Sequence, residues 1–206
     1  AMGNVYRLCG AFVGVAAFAA ASVFGPVAAA ATDPSLSAYY SFNEGGGEIA
    51  EDGSTHGNDA IIVGDPEWVD GQVGQALVLK PQTWGDLVGP EFQNIPKEGI
   101  TIAVWVNHNA VGDMSLFDAI GDAHGDGLYH VEIRVAGVRW FHRDDAKTTV
   151  FNISPAAVIP GGEWVHFAGT YEAGGDAVTY RDGVETHRVP GDGELSDNWN
   201  LQAEIG

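Results

Sequence analysis

One short loop carries the side chains best suited to hold a metal ion. Asp52, Asn58 and Asp59 lie in a glycine-containing stretch between two strand-like runs. Calcium prefers several oxygen ligands, which proteins supply from carboxylates, amides and backbone carbonyls. The three residues therefore predict a structural Ca²⁺ site in this loop. The alternative is a loop in which the same side chains accept hydrogen bonds from their own backbone.

A second group of residues has the chemistry to bind a sugar. In the run 138–143 the side chains alternate, so Arg139 is predicted to face one side of a strand, and Trp140 and His142 the other. Aromatic faces stack on sugar rings, and polar groups form hydrogen bonds to the hydroxyls. Arg139, Trp140 and His142 are therefore candidate ligand-binding residues. The alternative places the tryptophan in the core, with solvated arginines on the opposite face.

No catalytic motif accompanies these candidates. Retaining glycosidases need two carboxylates about 5–5.5 Å apart, and a single strand with alternating acidic residues can supply them. Glu132 is the nearest strand carboxylate, and no acidic partner follows it on that strand. Neither a G-x-S-x-G elbow nor a zinc-binding spacing of histidines is found. The sequence thus predicts a protein that is not an enzyme, with glycoside hydrolysis as the weaker alternative.

The elements that must position these side chains are β-strands. Short runs rich in Val, Ile, Thr, Tyr, Phe and Trp alternate with Gly, Asp, Asn and Pro, a pattern typical of a β-sandwich or jelly roll. Strands are predicted near residues 37–43, 59–63, 75–80, 99–107, 114–120, 127–134, 137–142, 147–152, 163–172, 176–181, 184–189 and 201–205.

The N-terminal segment has a different composition from the rest. Residues 8–31 carry no charge, Arg7 precedes them, and residues 28–31 are all alanine. This pattern predicts a secretory signal peptide at residues 1–31 that is not part of the fold, followed by one domain at 32–206. A retained membrane anchor is the alternative, because the uncharged run is long enough to span a bilayer. A secreted or cell-surface location follows from either.

The charge of the chain limits its partners. Its net charge is −19, and its one cysteine, Cys9, lies in the predicted signal peptide. Such an acidic surface repels nucleic acids and anionic membranes, so we expect neither as a partner once the signal is removed. The domain also cannot depend on disulfide bonds.

Several segments, in the same order along the chain, resemble one known family. They are residues 38–47 (AYYSFNEGGG), 52–60 (DGSTHGNDA), 68–77 (WVDGQVGQAL), 100–106 (ITIAVWV), 162–171 (GEWVHFAGTY) and 180–184 (YRDGV). Together they resemble laminin-G-like domains of the concanavalin A-like lectin/glucanase superfamily. The resemblance implies an all-β, concanavalin A-like jelly-roll β-sandwich of two antiparallel sheets. It also implies that Trp105 and Trp164 pack in the core with Phe42, Leu77, Val104 and Phe167.

The resemblance also shapes the expected function. It implies a secreted, non-catalytic binding module for a carbohydrate or an extracellular protein, with a structural or adhesive domain that has no small ligand as the alternative. The family's last strand has no counterpart before Gly206, so a C-terminally truncated domain with an open sheet edge is expected. A concave face carrying exposed aromatics, with Trp84 or Trp140 accessible, would favour a glycan ligand, whereas tryptophans that are all buried or scattered singly would favour a structural role.

Overall fold

Two antiparallel sheets pack face to face in the structure, which is a computed structural model describing residues 6–14, 33–109, 113–121, 128–135 and 137–206. The first sheet consists, in spatial order, of β15 (Val184–Pro190), β14 (Asp176–Arg181), β13 (Val165–Glu172), β8 (Gly99–His108), β1 (Tyr6–Gly14), β6 (Gln75–Leu79) and β5 (Glu67–Asp70), and β2 (Leu36–Tyr40) also pairs with β1. The second sheet consists of β12 (Thr149–Ile153), β11 (Gly137–Arg143), β10 (Tyr129–Arg134), β9 (Met114–Ile120), β16 (Gln202–Ile205), β7 (Trp84–Asp86), β4 (Ala60–Val63) and β3 (Ile49–Ala50).

The sandwich architecture and every predicted strand are confirmed. The strands that the sequence did not predict are β1, β3, β5 and β7. Three of these span four residues or fewer, which is too short for a period-two pattern to stand out from the surrounding turns. A 3₁₀ helix, Gly89–Glu91, follows β7. In the part of the chain that the structure describes, no helix has the length and apolar character needed to cross a membrane.

Alternating side chains fill the space between the sheets. In β8, Ile100, Ile102, Val104 and Val106 face this core and are at most 3% exposed. Trp105 points the other way and is only half-buried, with its ring 5.1 Å from that of His166 on the outer face. The prediction of Trp105 as a core residue is therefore wrong.

Of the remaining residues predicted to lie in the core, one is wrongly placed and four are confirmed. Trp164 is half-buried just before β13, so its prediction as a core residue is also wrong. Phe42, Leu77, Val104 and Phe167 are confirmed as core residues, since none is more than 3% exposed. Trp105 was misplaced because the run 103–106 is apolar on both faces, and such a run does not reveal which face is buried.

The strand β1 lies inside the first sheet. Tyr6 is opposite Leu79 of β6, and Gly14 is opposite Thr101 of β8. Residues 1–31 were expected to lie outside the fold, and the absence of the family's last strand was expected to leave an open sheet edge. Instead β1 supplies hydrogen-bonding partners to β2, β6 and β8. The rest of the predicted signal peptide lies outside the described residues, and its secretory role stays a prediction.

Candidate functional site

The inner face of β11 holds two of the residues predicted to bind a ligand. Trp140 and His142 have no exposed surface. The indole nitrogen of Trp140 donates a hydrogen bond to the Tyr129 hydroxyl over 3.3 Å. A Cβ placed on Gly169 of the opposite sheet would lie 2.7 Å from the Trp140 ring, so the two sheets are in close contact here. Neither Trp140 nor His142 can therefore touch a sugar.

His142 is a neutral residue of the core. Burial lowers its pKa from 6.5 to about 3, because the charged imidazolium would lose its solvation. Its Nδ1 lies 2.6 Å from the Arg143 carbonyl oxygen, so this nitrogen carries the proton. Its ring is 4.9 Å from that of Tyr129 in an edge-to-face arrangement. The residue contributes packing rather than ligand recognition.

Arg139 is the only one of these three candidates on the outer face. Its guanidinium lies 3.6 Å from Glu132 and 4.5 Å from the centre of the Phe141 ring. Its Nε donates a hydrogen bond to Asn152 Oδ1 over 3.2 Å. Trp140 and His142 are thus wrong as ligand-binding residues, because the face of β11 that they share is buried, whereas ligand binding by Arg139 stays a prediction.

The predicted calcium loop is folded around Asp52. Its Oδ1 accepts hydrogen bonds from the backbone amides of Tyr39 and Ser54, each over 2.8 Å. Its Oδ2 accepts from the Ser54 hydroxyl over 2.6 Å and from the Asn58 amide over 2.9 Å. Both carboxylate oxygens therefore accept hydrogen bonds from the loop and from the neighbouring strand β2, in agreement with the alternative to a metal site.

The other two predicted metal ligands are similarly engaged. The Asn58 side chain donates to the carbonyls of Ser37 and Gln93 over 2.8 and 2.9 Å. Asp59 Oδ1 accepts from the Asp52 amide over 2.8 Å. Within the described residues, no three His, Cys, Asp or Glu side chains are grouped as they would be around a metal ion.

A cleft of about 360 Å³ lies beside this loop. Glu44, Glu51 and Asp52 are among its lining residues. Glu44 Oε1 accepts from the Glu51 amide over 3.0 Å, while its Oε2 is buried with no hydrogen-bond partner among the described residues. Calcium binding at Asp52, Asn58 and Asp59 stays a prediction, and Glu44 is a nearby oxygen donor that the sequence did not single out.

The outer face of the second sheet carries a row of titratable side chains. Strand register places Asp86 opposite Glu204, Glu204 opposite Asp118, and Asp118 opposite His130. His130 Nδ1 lies 2.8 Å from Asp118 Oδ1. The four residues lie on β7, β16, β9 and β10, which are far apart in the chain. Their proximity results from the sheet order, so it could not be predicted from local sequence spacing.

Glu204 lies between two other carboxylates in this row. Burial raises the pKa of Glu204, and the charges of Asp118 and Asp86 raise it further. A hydrogen bond from Gln202 has the opposite effect and lowers this pKa. Among the described residues, no cation forms an ion pair with Glu204. Its carboxyl group can therefore accept a hydrogen bond when ionised or donate one when protonated.

A cleft of about 460 Å³ opens next to Glu204, which we call the Trp84 cleft. It lies where β16 ends between β7 and β9. The residues that line it are Lys80, Pro81, Gln82, Thr83, Trp84, Asp113, Met114, Ser115, Glu204 and Gly206. Trp84 is half-buried, so its indole is accessible from the cleft. The Ser115 hydroxyl is buried and has no hydrogen-bond partner among the described residues.

One wall of the Trp84 cleft is a tight turn at residues 80–83. The Thr83 amide donates to the Lys80 carbonyl over 2.8 Å. Gln82 has a φ of 70°, which lies in the left-handed region that few side-chain-bearing residues adopt. A Cβ on Gly64 would lie 2.2 Å from the Gln82 carbonyl oxygen, so glycine is required at this approach. The turn is thus held against β4 and fixes the wall of the cleft.

Sequence reasoning identified only part of this site. It named Trp84 as an aromatic whose exposure would favour a glycan ligand, and the structure places it in the cleft of about 460 Å³. It did not identify Asp113, Ser115 or Glu204. Each of these is an ordinary polar residue at a strand terminus, and only the neighbouring strands bring them together.

Comparisons with known proteins agree with the observed architecture. The profile of a laminin G family, described as concanavalin A-like lectin/glucanases superfamily, matches residues 83–206. Sequence comparison with curated proteins gives no match.

Similar solved structures have low sequence identity. Domain 4 of AbnA, a GH43 extracellular arabinanase from Geobacillus stearothermophilus in complex with arabinotriose, is 18% identical with a TM-score of 0.50, over 69% of this chain and 66% of that domain. The binding domain of Paraclostridial Mosquitocidal Protein 1 is 11% identical with a TM-score of 0.57, over 78% of this chain and 42% of that one. The botulinum neurotoxin serotype G binding domain is 12% identical with a TM-score of 0.53, over 75% and 42%.

The chain thus spans two thirds or less of the length of each of these proteins. At such identities the likeness concerns the fold, and it agrees with the two eight-stranded antiparallel sheets. The family profile matches more than half of the sequence. The chain therefore belongs to the laminin G family of the concanavalin A-like lectin/glucanases superfamily.

Proposed function

We propose that this protein is a secreted, non-catalytic carbohydrate-binding module whose ligand occupies the Trp84 cleft. The observation that carries this proposal is the half-buried indole of Trp84 in a cleft of about 460 Å³ lined mainly by polar residues. Binding sites for small ligands typically enclose about 300–1,000 Å³ and combine an apolar surface with a few polar groups.

Each wall of the cleft has a role in this proposal. The face of Trp84 stacks on the apolar face of a sugar ring. Asp113 and Glu204 accept hydrogen bonds from sugar hydroxyls, and charge-assisted bonds of this kind are stronger than neutral ones. The unpartnered Ser115 hydroxyl gains a hydrogen bond when a sugar is present, which offsets the cost of its burial.

The comparisons support the class of ligand. The arabinanase domain is in complex with arabinotriose, and the two toxin proteins are binding domains. The superfamily description includes lectins. An extracellular protein partner, or a structural and adhesive role without a small ligand, is the alternative and predicts no binding to glycans.

Glycoside hydrolysis is a second candidate, because the carboxylates of the outer face favour it. Asp86, Glu204 and Asp118 follow one another on neighbouring strands, which lie about 5 Å apart in a sheet. Retaining hydrolases hold two carboxylates about 5–5.5 Å apart, and one acts as a general acid with a raised pKa. Glu204 has a raised pKa. Release of reducing sugar ends from arabinan, and its loss in Glu204→Gln, would establish hydrolysis.

A glycan array tests the binding proposal. The wild-type protein should bind a set of glycans, and Trp84→Ala should weaken binding tenfold or more. Trp105→Ala is the matched control, because Trp105 is also half-buried but lies on the outer face of the other sheet. Circular dichroism checks that both variants fold. Absence of binding by the wild-type protein, or equal loss in the two variants, would overturn the proposal.

A further inference from the structure

The charges around the Trp84 cleft point to a narrower class of ligand. We propose that the cleft selects saccharides without acidic groups, and that a sugar unit with a free amino group fits best beside Glu204. This inference rests on the proposed function, because it concerns the same site. It is carried by the arrangement of charges around the cleft rather than by its shape.

The carboxylates at the cleft outnumber the cations available to an anionic ligand. Glu204 lines the cleft, with Asp86 and Asp118 on either side of it in the sheet. Asp113 is a second carboxylate in the lining, and its side chain is 59% exposed. Among the described ion pairs, none neutralises Glu204 or Asp86.

The nearby cations are already engaged by acidic residues. Lys80, the one cation in the lining, lies 3.2 Å from Asp65 and 3.8 Å from Glu67. Two carboxylates therefore face this single ammonium. An anionic sugar approaching Lys80 would also meet those two acids.

Arg134 is the other cation near the cleft. Its Nε lies 3.5 Å from Asp113 and 3.4 Å from Glu132. Its charge is thus shared between two carboxylates, and the surroundings of the cleft remain negative. The whole chain has the same sign, with a net charge of −19.

Coulomb repulsion from these carboxylates should exclude anionic ligands from the cleft. A carboxylate or sulfate bound beside Trp84 would lie near Glu204 and Asp113 in a partly desolvated cleft, where like charges repel more strongly than in water. An ammonium group in the same place would gain charge-assisted hydrogen bonds to those carboxylates. Neutral sugars should bind with intermediate affinity, through stacking and hydroxyl contacts.

Three tetrasaccharides that differ in charge test this inference. Isothermal titration calorimetry at pH 6.0, where the amines of glucosamine oligomers carry a proton, would compare a glucosamine tetramer, its N-acetylated neutral counterpart, and tetragalacturonic acid. We expect the glucosamine tetramer to bind most tightly and the galacturonate to bind at least tenfold more weakly than the neutral tetramer. Added salt should weaken binding of the glucosamine tetramer and leave the neutral one unchanged.

Two variants connect the selectivity to the cleft. Glu204→Gln should reduce the preference for the amino sugar over the neutral sugar about tenfold. Glu194→Gln is the matched control, because it removes the same charge at an exposed residue that does not line the cleft. The control should keep the preference of the wild-type protein.

The outcomes separate this inference from the proposed function. If the galacturonate binds as tightly as the neutral tetramer, the charge selection is overturned while carbohydrate binding stands. An unchanged preference in Glu204→Gln would also overturn it. If none of the three tetramers binds, the selection of amino sugars is overturned, and the glycan array decides carbohydrate binding independently.

Discussion

Two tryptophans of the second sheet have opposite environments. Trp140 on β11 is fully buried and packs against Gly169 of the other sheet. Trp84 on β7 faces outward, is half-buried and lines a cleft of about 460 Å³. Both are strand tryptophans that directly follow a polar residue in the sequence. Their difference shows that the face of the strand, and not the residue type, determines which one is available to a ligand.

The same contrast applies to the polar residues of each face. On the inner face, His142 is neutral and contacts only the protein. On the outer face, Glu204 and Ser115 keep hydrogen-bonding capacity beside the cleft. A polar side chain enclosed in the core can contact only the protein, whereas a polar group with free hydrogen-bonding capacity at a cleft is available to a ligand. Substitutions on the inner face should therefore affect stability, and those on the outer face should affect binding.

The largest effect is expected from Trp140→Ala. Removal of this buried indole leaves a cavity between the sheets, which should lower the free energy of unfolding by about 3–5 kcal/mol. Guanidinium unfolding monitored by circular dichroism measures the change. A loss below about 1 kcal/mol would show that Trp140 is not a core residue and would remove the basis of the comparison.

Asp52→Ala should have the next largest effect. The loop would lose a carboxylate that accepts four hydrogen bonds. We expect a decrease of about 2–3 kcal/mol in the free energy of unfolding. Asp59→Ala, which removes an acceptor of one of the loop's backbone amides, should cost about 1 kcal/mol. Equal costs in the two variants would contradict the role of Asp52 as the centre of the loop.

The calcium prediction is tested on the same loop. If Asp52, Asn58 and Asp59 bind calcium, the melting temperature of chelator-treated protein should rise when calcium chloride is added. Asp59→Ala should reduce this rise. A melting temperature that calcium leaves unchanged would contradict the predicted metal site.

The buried imidazole should make stability depend on pH. The pKa of His142 is about 3 in the folded protein, against 6.5 as its ordinary value. Between these values the unfolded chain binds more protons than the folded protein. The free energy of unfolding is therefore highest above pH 6.5 and decreases as the pH falls below that value. The slope should reach about 1.4 kcal/mol per pH unit.

His142→Phe is the matched variant for this dependence. It keeps an aromatic ring beside Tyr129 and removes the titrating group. Urea unfolding at pH 4.5, 5.5 and 6.5 should give a shallower decrease for this variant than for the wild-type protein. Parallel curves would show that other groups cause the pH dependence.

Trp84→Ala should have the smallest effect on stability. The residue is half-buried at the start of β7, so the free energy of unfolding should change by about 1 kcal/mol or less. The same substitution should weaken saccharide binding tenfold or more. A loss of stability as large as that of Trp140→Ala would place Trp84 in the scaffold and break the distinction between the two faces.

Much of the fold could be predicted from the sequence, because strands alternate and turns contain Gly, Asp and Asn. The order of the predicted strands followed from these patterns, and the core residues Phe42 and Phe167 followed from the family resemblance. Trp105 was assigned to the wrong face because both faces of its strand are apolar there. The position of β1 depends on pairing with β6 and β8, which local sequence does not encode.

The candidate site was less accessible to sequence reasoning. Asp86, Asp118 and Glu204 are separated in the chain and adjacent in the sheet. A search for paired acidic residues along one strand could not find them, because the row crosses three strands. The Asp52 loop was found as a cluster of oxygen donors, yet its hydrogen bonds could be known only from the folded backbone.

The most direct test of the account is the response of the tryptophan indole signals to a saccharide. ¹⁵N-labelled protein would be titrated with the oligosaccharide that binds most tightly on the glycan array, with the Trp84 and Trp140 signals assigned from Trp84→Phe and Trp140→Phe. We predict that the Trp84 indole signal shifts in a saturable manner while that of Trp140 stays in place. A saturable shift at another tryptophan, with Trp84 unchanged, would contradict binding in the Trp84 cleft.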